Sequence, residues 1–312
     1  CAILTQAKGA SFRCMGPGRF SVLCSMKTKE KDSIHCHHQI LPPYAHVTKH
    51  HSAVRNVPYI LAKPLQGKIT SLLVVGYGAY GLSTSMNTSS WYPLLLRGWA
   101  IAFALVRGGG DDTMAWADGG RTWRREESIS DFEDCIASAQ HLLHVPASAT
   151  AIYGRSAGGI LVGSAARRQK NTSLFGALYA EVPYLDVLRT TTNPLLPLTR
   201  LEYDEFGNPR ERIEDLVTLE KISPMEGIPN RGYPGLFALV RTGKNDKEIF
   251  PYESVKWILR SRGSKKTDAT KILAFSQQEG HFVSGKSSRM NRAIDLAFLL
   301  NWRSGFKFQF LK

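Results

Sequence analysis

The sequence predicts an α/β fold in which a mostly parallel β-sheet carries helices on both faces. Six short and almost continuously apolar runs recur after residue 52, and such runs are typical of strands buried on both faces of a parallel sheet. They occupy residues 71–76, 100–106, 149–154, 176–182, 236–243 and 271–277. Helical segments separate several of these runs, and this alternation predicts right-handed crossovers between parallel strands.

The segments between the strands have the amphipathic period of helices. They are residues 128–145, the stretch that follows residue 156, residues 252–263 and residues 288–303. Residues 183–232 are rich in Pro and acidic side chains and are too long for a plain connection. Since long loops in compact domains are often functional, we expect this insertion to shape a binding site.

The first 45 residues differ from the rest of the chain. They are basic, contain Ser and Gly, and have no clear hydrophobic period. We therefore interpret residues 1–45 as an irregular basic N-terminal segment and residues 46–312 as one folded domain. Because the chain begins with Cys1, we expect a processed chain or a fragment; the sequence leaves open whether the segment is a targeting remnant, a linker or a misassigned gene start.

Composition and charge limit the kinds of partner that we expect the chain to bind. The chain has 312 residues, 43% of them hydrophobic, and a net charge of +14 from 40 basic and 26 acidic residues. The basic residues are scattered rather than gathered on one face, and no nucleic-acid-binding motif is present. No apolar run approaches the roughly 18 residues that span a bilayer. We predict neither a nucleic-acid partner nor a membrane partner.

Cysteine usage bears on the compartment and on metal binding. Four of the five cysteines lie in the first 36 residues and Cys135 is alone in the body of the chain. This odd, uneven count predicts a reducing compartment, the cytoplasm, rather than a disulfide framework. The run "HCHH" at 35–38 has no second cluster of ligands to complete a site, so we predict no metal and no cofactor.

A candidate nucleophile lies in the stretch "YGRSAGGI", residues 153–160. Ser156 stands between Gly154 and Gly158, after a predicted strand and before a predicted helix. This is the G-x-S-x-G nucleophile elbow, in which a sharp turn exposes the serine hydroxyl and small residues let strand and helix approach closely.

Two further residues complete a catalytic triad. Asp246 follows the strand at 236–243, and His281 follows the strand at 271–277. The order Ser, Asp, His, with each residue after a later strand, is that of the α/β-hydrolase fold. His281 would take the proton of Ser156, and Asp246 would fix the imidazole tautomer. The backbone N–H of Ala157 would donate to the oxyanion.

A family resemblance rests on further blocks of sequence. "VVGYGAYG" (74–81), "VRGGGDDTMAWADGG" (106–120) and "GRSAGG" (154–159) resemble the catalytic domain of the prolyl oligopeptidase family of serine peptidases. "EVPYLDV" (181–187) and "PLTRLEYDEFGNP" (197–209) resemble its oligopeptidase B branch. The resemblance implies that the hydroxyl of Tyr77 completes the oxyanion hole.

The same resemblance implies a substrate. Oligopeptidase B cleaves after Arg or Lys, and the acids that recognise the basic side chain correspond to Glu202 and Asp204, the second shortened from Glu. The positions of the branch's second-subsite acids fall near Ser85 and Asn87. Because both are neutral, a preference for a second basic residue is not predicted.

We therefore expect a serine peptidase that hydrolyses short basic peptides on the carboxyl side of Arg or Lys. Two alternatives remain open: a serine esterase or acyl-transfer hydrolase acting on a non-peptide substrate, and an inactive fragment. No repeated four-stranded blades are evident in the sequence, so we expect the propeller domain that precedes this domain in the family to be absent from this chain. We expect an open site and self-association through the surface that a propeller would cover.

Overall fold

A computed structural model of the chain describes residues 44–169, 173–264, 270–276, 280–282 and 288–304 in full, and the backbone of residues 2–6, 9–14, 22–26, 34–36 and 285–287. The strands are β1 (Ala2–Gln6), β2 (Gly9–Cys14), β3 (Val22–Met26), β4 (Ile34–Cys36), β5 (Ala45–His51), β6 (Pro58–Pro64), β7 (Ser71–Gly76), β8 (Trp99–Ala104), β9 (Thr150–Arg155), β10 (Ala177–Glu181), β11 (Phe237–Gly243) and β12 (Lys271–Ser276). The helices are α1 (Tyr92–Leu95), α2 (Met114–Asp118), α3 (Arg125–Leu143), α4 (Gly158–Arg168), α5 (Val187–Thr192), α6 (Tyr203–Phe206), α7 (Ile213–Ile222), α8 (Pro251–Ser261) and α9 (Gly285–Ser304). Short 3₁₀ helices lie at Thr88–Trp91, Thr122–Arg124, Ala147–Ala149 and Thr199–Glu202.

The main sheet has the strand order β12-β11-β10-β9-β7-β8-β6-β5. Neighbouring strands are parallel from β12 to β8, whereas β6 and β5 are antiparallel additions at one edge. The six predicted strands are β7 to β12, each matched to within two residues at either end. The prediction of a mostly parallel α/β sheet is confirmed.

Helices cover both faces of the sheet, as predicted. Alternate residues of β7 enter two separate apolar clusters, because successive side chains of a strand point to opposite faces. Leu72 packs in the cluster that α3 and α4 complete, and Leu73 packs in the cluster to which α1 and α9 contribute. Phe132 of α3 is completely buried against this sheet, and burial of a side chain of this size contributes about 1.5 to 3 kcal/mol to folding.

The antiparallel edge was not predicted. β5, with the sequence AHVTKHH, is mostly exposed or partly buried beyond Ala45 and carries a Lys and three His. β6 begins with Pro58 and ends with Pro64. Charged side chains on the edge strand β5 discourage pairing with another chain. The polar residues of β5 and the prolines at the ends of β6 also obscure the apolar pattern by which a strand is recognised.

The prediction that residues 1–45 are irregular is wrong where the structure forms strands β1 to β4. β1 to β4 pair in sequence order, each antiparallel to the next. These strands are only three to six residues long, so none supplies enough alternating positions for a period to emerge from the basic composition. The role assigned to this segment stays a prediction. In the run "HCHH", His35 and Cys36 belong to β4, and the two following histidines lie outside the described residues.

The parallel strands position the site. Because the carboxyl ends of parallel strands meet at one edge of the sheet, residues that follow β7, β9, β11 and β12 are brought close together. Tyr77, Ser156, Asp246 and His281 each follow one of these strands. Among the helices that the structure describes, none is long and apolar enough to cross a membrane.

Candidate active site

The nucleophile elbow has the predicted strand–turn–helix geometry. Ser156 lies between the end of β9 and the start of α4, and its φ is 54°. This left-handed conformation is uncommon for a residue with a side chain and is typical of strained functional turns. Glu181 accepts the Ser156 N–H at its carbonyl oxygen at 3.0 Å, and the Ser156 carbonyl oxygen accepts the Tyr184 N–H at 2.9 Å. These hydrogen bonds to neighbouring chain segments hold the turn in place.

The two glycines of the elbow are required by close packing. A Cβ added to Gly154 would lie 2.1 Å from the carbonyl oxygen of Gly158, and a Cβ added to Gly158 would lie 2.7 Å from that of Gly76. Both distances are too short for any side chain, so β9, α4 and the end of β7 can meet only where these positions are glycine.

The structure brings the three predicted triad residues into one hydrogen-bonded chain. His281 Nε2 lies 2.9 Å from Ser156 Oγ, and His281 Nδ1 lies 2.9 Å from Asp246 Oδ2. Asp246 Oδ1 accepts the backbone N–H groups of Glu248 and Ile249 at 2.9 and 3.0 Å. With both oxygens occupied, the carboxylate is held in one orientation toward the imidazole.

Burial strengthens the electrostatic interaction between His281 and Asp246. Asp246 and His281 are 2% and 6% exposed, whereas Ser156 is only partly buried beside the cavity. Removal of water lowers the local dielectric, so charge that forms on the imidazole interacts strongly with the neighbouring carboxylate. The arrangement can remove a proton from Ser156 and stabilise the imidazolium that results.

The predicted oxyanion donors flank the nucleophile. Ala157 follows Ser156 directly and caps the N-terminus of α4, where backbone N–H groups point outward. Tyr77 follows Gly76 at the end of β7 and lines the same cavity as Ser156 and His281. A tyrosine hydroxyl ordinarily keeps its proton at neutral pH, and burial raises the pKa of Tyr77 further, so the hydroxyl can donate a hydrogen bond.

A cavity of about 680 Å³ opens over the triad. Its lining includes Tyr77, Tyr80, Ser85, Asn87, Trp91, Tyr153, Arg155, Ser156, Tyr184, Glu202, Glu248, His281, Phe282 and Arg292. The carboxylates of Glu202 and Glu248 and the guanidinium groups of Arg155 and Arg292 therefore border the same space as the nucleophile. Ser85 and Asn87, at the predicted second subsite, border it as well.

Of the two predicted specificity acids, the structure brings only Glu202 to the cavity. The Tyr80 hydroxyl donates to Glu202 Oε1 at 2.7 Å. Burial raises the pKa of Glu202, with nearby Glu205 and Glu248 adding to the effect and the Tyr80 hydrogen bond opposing it. The Glu202 carboxylate is thus mostly enclosed and accepts a hydrogen bond from one uncharged group, the Tyr80 hydroxyl.

Asp204 is exposed and is not part of the cavity lining. Its neighbour Glu205 is 5% exposed and forms ion pairs with Arg121 and Arg125. The physical reason is helical geometry: the chain turns through the 3₁₀ helix into α6, and residues two apart on a helix point in different directions, whereas residues three apart share a face. The prediction that Asp204 faces the substrate together with Glu202 is therefore not supported by the structure.

The sequence analysis missed four charged residues, three at the cavity and one behind it. Arg155, Arg292 and Glu248 border the cavity, and Glu181 lies behind it, where its Oε2 accepts from Tyr153, Tyr179 and Arg292. Arg155 directly precedes the nucleophile and Glu181 ends β10. Their positions next to a nucleophile and at a strand end were the signals that could have identified them. In the part of the chain that is described, no group of three or more His, Cys, Asp or Glu is arranged to hold a metal ion.

Comparisons with known proteins agree with the fold. The sequence pattern of the prolyl oligopeptidase family matches residues 85–305. The structure of oligopeptidase B from Leishmania major superposes on 98% of this chain and 44% of its own, with a TM-score of 0.84 and 24% sequence identity. That likeness bears on the fold alone, and the fold is that of an α/β hydrolase.

Sequence relatives are closer but much longer. The chain is 34% identical to Protease 2 of Moraxella lacunata over 238 residues, which are 74% of this chain and 33% of that protein. It is 31% identical to dipeptidyl aminopeptidase BI of Pseudoxanthomonas mexicana over 237 residues, which are 74% of this chain and 32% of that protein. The chain thus spans about a third of the length of these relatives. Residues 85–305, which the family pattern matches, carry the elbow and the triad. Since the family pattern covers most of the sequence, the chain belongs to the prolyl oligopeptidase family of serine peptidases.

Proposed function

We propose that this chain hydrolyses peptide bonds on the carboxyl side of Arg or Lys in short peptides, through an acyl-enzyme on Ser156. The observation that carries the proposal is the hydrogen-bonded chain Ser156–His281–Asp246, with 2.9 Å at each step, beneath a cavity that Glu202 borders. The name of the relative Protease 2 agrees with a peptidase activity.

The first half of the reaction forms the acyl-enzyme. His281 Nε2 takes the proton of Ser156 as Oγ attacks the carbonyl carbon of the scissile bond. The carbonyl oxygen becomes negatively charged, and the Ala157 N–H and the Tyr77 hydroxyl donate hydrogen bonds to it. The intermediate collapses when His281 passes its proton to the leaving amine, which breaks the C–N bond and leaves an ester on Ser156.

The second half repeats these steps with water. His281 removes a proton from the water as its oxygen attacks the ester carbon, and the same two donors stabilise the second oxyanion. Collapse releases the carboxylic acid and returns the proton to Ser156. Asp246 keeps the imidazole oriented throughout, because its second oxygen is held by two backbone N–H groups.

Glu202 supports the proposal that the substrate carries a basic side chain before the scissile bond. It is a carboxylate in the cavity whose only described hydrogen-bond donor is the neutral hydroxyl of Tyr80. A guanidinium or ammonium in the cavity would supply the missing positive charge, and charge-assisted hydrogen bonds are roughly twice as strong as neutral ones. We therefore propose that Glu202 binds the basic side chain of the substrate and that Asp204 takes no part in this contact.

The test is a panel of chromogenic amides and esters that carry Arg, Lys or Leu before the scissile bond, together with labelling by a fluorophosphonate. Turnover of the Arg and Lys amides well above that of the Leu amide supports the proposal. Turnover of simple esters without any amide turnover would assign an esterase instead. Absence of both turnover and labelling would mean that the triad is not competent in this chain.

A further inference from the structure

We infer that Arg155 is a positioning residue for the general base: its guanidinium fixes the backbone of His281 where the imidazole can reach Ser156. The inference rests on the proposed triad mechanism and adds one residue to it. Arg155 Nη2 donates to the carbonyl oxygen of His281 at 2.6 Å, so the residue before the nucleophile holds the residue that activates it.

The loop that carries His281 needs such support. The imidazole is hydrogen-bonded through both nitrogens, but its ring is placed only as accurately as the backbone beneath it. Within the part of the chain that the structure describes, the bond from Arg155 is the only hydrogen bond to the backbone of residues 280–282. Arg155 thus constrains the segment that carries the general base, which lies between β12 and α9.

Arg155 is itself held in place. Its Nε lies 3.6 Å from Glu181 Oε1, and its guanidinium carbon lies 5.1 Å from the centre of the Phe282 ring. The guanidinium is therefore placed between a carboxylate on one side and the loop of the general base on the other. Arg is suited to this role because its planar group offers several donors in fixed directions.

Glu181 connects this contact to the nucleophile. Its carbonyl oxygen accepts the Ser156 N–H, and its carboxylate accepts from Arg292 at 2.9 Å and from Tyr153 at 2.8 Å. Although burial acts to raise it, the pKa of Glu181 lies below its ordinary value because Arg292, the Tyr153 hydroxyl and Arg155 favour the ionised form. The carboxylate thus remains charged and keeps Arg155 oriented.

A direct substrate-binding role for Arg155 would give different kinetics. Its side chain borders the cavity, where a cation could bind substrate directly. A substrate-binding residue changes KM and depends on the substrate, whereas a residue that positions the general base changes kcat equally for all substrates. The division between kcat and KM therefore distinguishes the two roles.

The experiment compares Arg155→Met and Arg155→Lys with the wild type on matched Arg and Leu substrates. Arg168→Met is the control, because Arg168 pairs with Glu126 and Glu133 and has a similar exposure, 29% against 32% for Arg155, but lies far along α4 from the triad. Since a small misplacement of a catalytic group can cost on the order of a hundredfold, we expect Arg155→Met to lower kcat by about ten- to a hundredfold with KM unchanged.

The same loss is expected for both substrates and for the rate of fluorophosphonate labelling. Arg155→Lys is expected to lie between Arg155→Met and the wild type, because an ammonium can reach one acceptor but not span both. Arg168→Met should match the wild type. In Arg155→Ala, added methylguanidine should restore kcat in part.

Three results would overturn the inference: an Arg155→Met enzyme with wild-type kcat, a change confined to KM, or a loss limited to one substrate. If Arg155→Met fails to fold, Arg155→Lys decides, and a wild-type kcat in that variant would contradict the inference. A wild-type chain that neither turns over substrate nor reacts with the fluorophosphonate would refute the proposed function itself, which is a separate outcome.

Discussion

The carboxylate of Glu253 accepts the backbone N–H of Asp186 at 2.8 Å, which joins α8 to the loop behind the nucleophile. The same oxygen accepts the N–H of Leu185 at 3.0 Å, and the other accepts the Thr190 hydroxyl at 2.8 Å. Leu185 follows Tyr184, whose N–H donates to the carbonyl oxygen of Ser156. A buried side chain on α8 therefore supports the elbow through one intervening loop.

Glu253 makes stability depend on pH. Burial raises its pKa from an ordinary 4.5 to about 7, although its hydrogen bonds act in the opposite direction. Between these two values the folded chain holds a proton that the unfolded chain has lost, so the free energy of unfolding falls as the pH rises from 4.5 to 7. Because one pKa unit corresponds to about 1.4 kcal/mol, the full change is about 3 kcal/mol.

We expect Glu253→Gln to remove this pH dependence, since an amide keeps the acceptor oxygen without the charge. The measurement is urea unfolding of both proteins at several pH values from 4.5 to 8, and the difference between the two curves isolates Glu253 from other titrating groups. Parallel curves for the two proteins would show that the group does not titrate in this window.

The ion pair of Glu205 and Arg125 supports the loop that carries Tyr77. Arg125 is 1% exposed and donates to Glu205 and to the carbonyl oxygen of Gly78, while Glu205 accepts the Tyr80 N–H at 2.8 Å. Removing one partner of a buried pair costs about 3 to 5 kcal/mol when the remaining charge is left without compensation. Glu205 keeps Arg121 at 2.9 Å, so we expect Arg125→Met to lower the free energy of unfolding in urea titrations by about 3 kcal/mol, the lower end of this range.

Asp204→Asn is the matched control for this loss, because Asp204 is the neighbour of Glu205 and is exposed. Its effect should stay within about 0.5 kcal/mol, as for most surface substitutions. Similar losses in the two variants would mean that the buried ion pair contributes no more to the free energy of unfolding than an exposed side chain does.

Tyr77→Phe tests the second oxyanion donor. Loss of one such donor typically lowers turnover on the order of 10² to 10³, because the missing hydrogen bond forms only in the transition state. We expect kcat to fall with little change in KM, measured by steady-state kinetics on an amide substrate. An altered KM with unchanged kcat would show that the hydroxyl binds substrate in the ground state.

Glu202→Gln tests the proposed specificity. Hydrogen bonds to charged groups contribute roughly 1.5 to 3 kcal/mol, so kcat/KM for an Arg substrate should fall about ten- to a hundredfold. The Leu substrate should be unaffected. Because burial raises the pKa of Glu202, discrimination in the wild type should also weaken as the pH falls and the carboxylate takes up a proton.

Asp204→Asn serves as the control here as well, and we expect no change in the preference for Arg. Equal losses on Arg and Leu substrates in Glu202→Gln would indicate that the acid holds Tyr80 and the surrounding loop. A loss of Arg preference in Asp204→Asn would show that the loop rearranges when substrate binds.

The three predicted residues that the structure joins into one hydrogen-bonded chain are those with strong local signals in the sequence. Ser156 has glycines on either side, and Asp246 and His281 follow apolar strands in the order that the fold requires. The orientation of Asp204 could not be read in the same way, because it depends on where the helical turn at 199–206 begins. Arg155 and Glu181 were missed because their contact joins parts of the chain that are distant in sequence.

The triad mechanism is tested by the turnover of an arginyl amide by the wild type, Ser156→Ala, His281→Ala and the double variant. We expect each single substitution to lower kcat on the order of 10⁶ and the double variant to be little worse, since triad residues act as a unit. Near wild-type turnover by Ser156→Ala would show that Ser156 is not the nucleophile.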